Sequence, residues 1–302
     1  MSLSFLQRHA FGGFITHHVE RKVGAHGVHG IFANSPIEES TLLCCLPPFA
    51  GISPASARAS EVGRLIERRL KPTYSARGNL TSFDVSRDSF LVAAMTAVQR
   101  QRGPLSLYIQ DAVVEVEDDA SMKNAFAHPD EFEHFCEVRE LLDKILVEAH
   151  ADIIMGNGEG KAPTSKEERV ELDTIPITLD DLRLANALCE SRVVEIPGGE
   201  DVFQGPVLMP FVDLINHSDA EPNVYVEVMP IEELGSPKRQ EAIKGTHCVV
   251  AVAGRDIAPG EELTYHYVEP IGRSVAEKER ARARVLWGTR FHFIPPHLRS
   301  TN

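Results

Sequence analysis

The segment from Pro210 to Ser218, PFVDLINHS, constrains this chain more than any other. It runs apolar and then places Asp213, Asn216 and His217 where a core strand would continue with apolar side chains. Burying a carboxylate, an amide and an imidazole without partners costs roughly 2–7 kcal/mol each. Such a segment is either exposed or part of a site whose partners come from elsewhere in the chain. A second block of the same character, GEELTYHY, spans Gly260 to Tyr267. Two β-type runs, Asn223 to Met229 and Thr246 to Ala253, lie between the blocks. We read the pair as the two halves of one site.

The rest of the chain divides by periodicity. Residues 3–15 place Leu3, Phe5 and Leu6 on a short helical face that stops at Gly12-Gly13. GVHGIFA (27–33) reads as a turn feeding a strand, and TLLCCLP (41–47) as a second short strand ending at proline. Ser53-Pro54 is an N-cap followed by proline at the first helical position, with Val62, Leu65, Ile66 and Arg69 at helical spacing beyond it. Phe83 to Arg100 and Pro129 to Ala149 carry further helical faces. Thr178-x-x-Asp181 and Ser274-x-x-Glu277 resemble capping boxes. β-rich ends therefore flank a helical middle of roughly 130 residues, and the simplest topology joins both ends in one domain.

Composition narrows the function classes. The formal net charge of −13 argues against a nucleic-acid binder, which needs a basic face for phosphates. It suits a basic protein partner, and equally suits plain solubility. No run of eighteen apolar residues is present, so no membrane span is expected. Five cysteines without CxxC spacing point to reduced thiols in a cytosolic-type compartment. No secretory signal follows Met1, while the acid-free first nineteen residues leave a mitochondrial presequence as a minor alternative.

Two tempting motifs fail on spacing. GNGEGK (156–161) lacks the Ser or Thr that a phosphate loop carries after its lysine, since Lys161 precedes Ala162-Pro163. His26-x-x-His29 with Cys44-Cys45 makes a poor zinc set, because neighbouring cysteines on a strand face opposite ways. No metal site is expected.

Four blocks occur in order: GVHGIFA, Ser191-Arg192 after a helix, DLINHS, and I-x-x-GEE-x-x-Y-x-Y followed by a helix. This order resembles the motif set of SET-domain protein methyltransferases, in the branch that includes the Rubisco large-subunit lysine methyltransferase. The resemblance implies an α+β fold, a SET domain of short β-sheets with pseudoknot-like C-terminal threading, interrupted by a long helical insertion. Its parts would be 1–52, the insertion 53–177, and 178–302 with the catalytic motifs. It implies an S-adenosylmethionine-dependent protein-lysine N-methyltransferase acting on a lysine-bearing, basic protein, histone or not, in the cytoplasm or nucleus. A catalytically inactive SET-like binding module and a protein-histidine N-methyltransferase stay open as alternatives.

The resemblance also assigns residues. Tyr267 would be the catalytic tyrosine. Val28, His29, Gly30, Arg192, Asn216 and His217 would meet S-adenosylmethionine. Asp213, Tyr225 and Tyr265 would line the substrate channel. Gly30 reads equally as a turn residue, and Tyr225 as a cross-strand aromatic. Relatives commonly carry Tyr-Gly-Phe near the end of this region, where this chain has Trp287-Gly288-Thr289.

Overall fold

A computed structural model describes residues 2–9, 11–24, 29–79, 81–110, 119–156, 177–218, 221–236, 240–241, 243, 245–267, 276–291, 294–295 and 297–299. The chain folds as two compact units. The first comprises Met1–Ala59, Arg102–Ala112 and Arg192–Pro270; the second comprises Ser60–Gln101, Val113–Ser191 and Ile271–Asn302.

The first unit is built on an antiparallel sheet ordered β1 (Phe14–Ile15), β4 (Leu42–Leu46), β9 (His247–Ala253), β8 (Val224–Pro230). The central strands β4, LLCCL, and β9, HCVVAVA, read as nearly continuous apolar runs because both of their faces are covered. Val249, Val250 and Ala251 are wholly buried, and a fully buried valine contributes about 1.5–3 kcal/mol. On one face Cys45, Cys248 and Val250 pack with Ile231, Leu234 and Ile243. The Cys44 thiol is also wholly buried, and burial pushes its pKa up to about 12, as befits an inert core thiol. Among the described residues no group of His, Cys, Asp or Glu could hold a metal ion, and no helix is long and apolar enough to cross a membrane.

Beside this sheet, β2 (Val19–Val23) and β3 (His29–Ala33) form a hairpin in which Lys22 faces Gly30. Two very short strands, β7 (Asn216–His217) and β10 (Thr264–Tyr265), pair in parallel. The stretch leading into β10 is held on both sides. Ala33 N–H bonds Glu261 O at 2.9 Å and Leu263 N–H bonds Ile31 O at 2.7 Å, while Asn223 N–H bonds Thr264 O at 3.1 Å. The stretch from Glu261 to Tyr265 is thereby threaded between β3 on one side and β7 with Asn223 on the other.

Among the described residues the second unit is helical apart from one hairpin, β5 (Thr73–Arg77) with β6 (Ser82–Ser86). That hairpin corrects the expectation of a helix from Phe83: the helix begins at Arg87 and runs to Arg102. The amphipathic helix starts at Pro129 as expected but continues to Met155, where Gly156 ends it at φ 72°. Thr178 and Asp181 form a true capping box: Asp181 N–H bonds Thr178 Oγ1 at 3.0 Å and Thr178 N–H bonds Asp181 Oδ2 at 3.3 Å. It opens the helix Leu179–Arg192. Ser274 lies outside the described residues, and the last helix spans Glu277–Phe291. Trp287 is a core residue of this unit, its ring 4.5 Å from Phe291, and the Phe135 ring packs where Gly288 has no side chain.

Candidate functional site

PFVDLINHS is buried through Ile215 and half-exposed at Asn216 and His217. The wholly buried Phe211 holds φ 76°, a strained conformation for a bulky residue that costs of order 1–3 kcal/mol and is kept only by its surroundings. It turns the chain into one short helical turn, Val212–Leu214, from which β7 emerges. The parallel register then sets Thr264 beside Asn216 and Tyr265 beside His217. The two polar blocks of the sequence meet here.

Tyr267 follows β10. Its N–H bonds His217 Nδ1 at 3.1 Å, so that nitrogen keeps its lone pair and the ring hydrogen sits on Nε2. Its hydroxyl donates to Ile215 O at 2.9 Å. Burial raises the phenol's pKa above its ordinary value, so the group stays protonated at neutral pH. Tyr265 lies 5.0 Å from Tyr267, ring to ring, on the same side of the chain.

Asp213 is buried, with its pKa pushed up to about 6 by desolvation against the opposing pull of Arg192, the Tyr108 hydrogen bond and Arg21. Tyr108 donates its hydroxyl to Asp213 Oδ2. Arg192 Nη1 reaches Asp213 O at 3.2 Å and Asp213 Oδ2 at 3.8 Å. Asp213 Oδ1 is buried without a hydrogen-bond partner among the described residues. A bare buried carboxylate oxygen is costly and marks a place where a donor is expected.

Asn216 Nδ2 donates to His29 O at 3.1 Å and to Glu262 Oε1 at 2.6 Å. Gly30 lies close against this junction: a Cβ there would sit 2.2 Å from Glu262 Oε1 and 2.8 Å from Asn216 Nδ2, so those side-chain ends would have to shift. That is a close approach rather than a turn requirement, since Gly30 lies within β3. Tyr225 is 63% exposed on the edge strand β8, opposite Val252, with its ring laid over Gly254, where a Cβ would meet it at 2.3 Å. It is not brought against the Tyr265–Tyr267 pair by any described contact. Val28 lies outside the described residues.

Sequence reasoning missed Tyr108 and Glu262. Tyr108 lies in the short helix Ser106–Gln110 inside the stretch taken as insertion, and nothing local marks that stretch as returning to the first unit. Glu262 lies within the GEE of the second block, which gives it no role of its own.

A family model described as the SET domain matches residues 28–268. The chain belongs to the SET-domain family. Solved structures with the same fold include the SET domain of LSMT bound to lysine and AdoHcy, at 18% identity and TM-score 0.63, covering 97% of this chain and 56% of that one. Rubisco LSMT bound to sinefungin and monomethyllysine matches at 18% identity and TM-score 0.59, covering 97% of this chain and 55% of that one. Rubisco LSMT bound to AdoMet matches at 18% and 0.60. This SET-domain chain thus spans little more than half the length of those proteins. No curated protein sequence matches it.

Proposed function

We propose that this chain is an S-adenosylmethionine-dependent protein-lysine N-methyltransferase. The observation that carries the reading is the parallel pairing of β7 with β10, which fixes the Tyr267 backbone on His217 and its phenol on Ile215. The donor's fit to the residues rests on chemistry already described. Asn216 presents a carbonyl, His217 is half-exposed, and Arg192 supplies a cation. These residues, with His29 and Gly30, would hold S-adenosylmethionine, and bound there it supplies an electrophilic methyl group.

The protein's own task is then orientation and desolvation. A free lysine has a pKa near 10.4, so about one in a thousand is neutral at pH 7.4. A partly dry channel beside positive charge lowers that value. The Tyr267 hydroxyl donates its hydrogen to Ile215 O, so toward an incoming amine the phenol oxygen would act as an acceptor. A phenol held protonated is no general base, and holding nucleophile and carbon in line is mostly an orientation effect. Asp213, with its bare Oδ1, and Tyr265 would complete the amine's surroundings, and Tyr225 would meet the polypeptide further out. A basic protein substrate suits the net charge of −13, and reduced thiols suit the cytoplasm or nucleus.

Tyr267→Phe tests the assignment. Transfer of labelled methyl into protein of a cell extract is expected to fall by on the order of 10²–10³, as for loss of one positioned hydroxyl, while AdoHcy affinity stays within about twofold. Unchanged transfer would remove Tyr267 from the role. Histidine as the acceptor predicts instead that the label maps to imidazole by mass spectrometry.

A further inference from the structure

We propose that Glu262 is a positioning residue for donor recognition: it locks the Asn216 amide so that only its carbonyl faces the ligand. Both neighbours of Asn216 Nδ2, the His29 carbonyl at 3.1 Å and the Glu262 carboxylate at 2.6 Å, are acceptors. The NH₂ end must point at them, and both of its hydrogens are used. Oδ1 is left as the outward group and accepts from nothing among the described residues. The side chain can therefore receive a donor and repels an acceptor. Of the two charged ends of an α-amino acid, it selects the ammonium and rejects the carboxylate.

Glu262 is itself fixed by its backbone. Asn223 Nδ2 donates to Glu262 O at 2.8 Å, and Phe32 pairs with Glu262 from the other side. The lock thus draws one residue from each of three distant blocks: Gly30, Asn216 and Glu262. A Cβ at Gly30 would crowd both the carboxylate and the amide. Asn223 is a useful contrast. Its amide spends both ends on the fold, with Nδ2 on Glu261 Oε1 and Glu262 O, and Oδ1 on Thr264 N–H. Asn216 alone of the two keeps one end for a ligand.

The inference rests on the S-adenosylmethionine reading, and calorimetry separates the two. The probes are AdoHcy, its 4-thiobutyrate analogue lacking the α-amino group, and 5′-methylthioadenosine, which lacks the whole amino-acid end. Wild type is expected to prefer AdoHcy over the desamino analogue by about ten- to a hundredfold, the worth of a hydrogen bond to a charged group. Glu262→Ala is expected to cut that preference to about threefold or less, with methylthioadenosine affinity unchanged. Glu262→Gln keeps an acceptor and should keep the preference. No AdoHcy binding by wild type would overturn the donor reading and this one with it. Binding without a preference for the amino group would overturn only this inference, whatever the variants' folding. Equal weakening of all three probes by Glu262→Ala, or a Gln variant as unselective as Ala, would also overturn it.

Discussion

Each compact unit buries one aspartate beneath a tyrosine hydroxyl and beside a cation, and the two arrangements come to different ends. In the second unit Tyr74 donates to Asp152 Oδ2 at 2.9 Å and accepts from Lys71 N–H at 3.1 Å, with Lys71 Nζ 3.7 Å from the carboxylate. The Tyr74 ring stands edge-on to Phe90 at 5.1 Å. This set ties the start of β5 to the last turns of a long helix, and Lys71 remains a third exposed to water. In the first unit Tyr108 donates to Asp213 and Arg192 stands at 3.8 Å, yet Oδ1 is left bare and the carboxylate is wholly shielded. Asp213 is the one carboxylate among the described residues with a buried, unpartnered oxygen. An aspartate, a tyrosine and a cation make a joint when satisfied and a reserve of binding capacity when not.

The sharpest way to break this contrast is to neutralise each acid. Asp213→Asn is expected to lower methyl transfer by on the order of 10²–10³. Asp152→Asn should leave transfer within about twofold and cost roughly 1.5–3 kcal/mol of stability, read from urea denaturation. Equal effects of the two changes on transfer would erase the distinction.

A smaller effect follows from titration. The Asp213 carboxyl moves from 3.8 to about 6 on folding, chiefly by desolvation, with Tyr108, Arg192 and Arg21 pulling the other way. Between those values the folded state holds more protons than the unfolded chain. This group's contribution therefore favours folding least above pH 6 and is lost progressively as pH rises from 4 to 6. Stability of wild type relative to Asp213→Asn should fall by on the order of 3 kcal/mol across that window. A flat difference would mean that the carboxyl does not titrate there.

The mildest test removes the hydroxyls. Tyr74→Phe should cost about 1–2 kcal/mol of stability with the pH profile of transfer unmoved. Tyr108→Phe takes a hydrogen bond from the charged form of Asp213, so the acid limb of that profile should move up by about one pH unit or less.

Much of this was legible in the chain's letters, for physical reasons. Asp213, Asn216 and His217 are types a core rarely takes without partners, so their placement after an apolar run pointed to a site, whereas Tyr267 was singled out by the resemblance. The pairing of β7 with β10 needed the resemblance, because a ladder of two residues has no periodicity to read. Val28 lies outside the described residues, and the exposure of Tyr225 fits both of its readings. The hairpin at 73–86 was missed although Tyr74, Ala76, Phe83 and Val85 alternate, because the helical face beyond Phe83 dominated the window. Trp287-Gly288-Thr289 departs from the Tyr-Gly-Phe of relatives, and Trp287 is a core residue of the second unit.

The strand that delivers the phenol is gripped on one bank by β3 and on the other by β7, Ser218 and Asn223. Contacts so far apart along the chain are closed late and slowly. A nascent chain stopped before Gly260 would own the whole β4–β9–β8 sheet and still lack a working centre. Nicking the backbone between Ala253 and Gly260 should disarm the protein at a stroke, so competence arrives, and departs, as a single event.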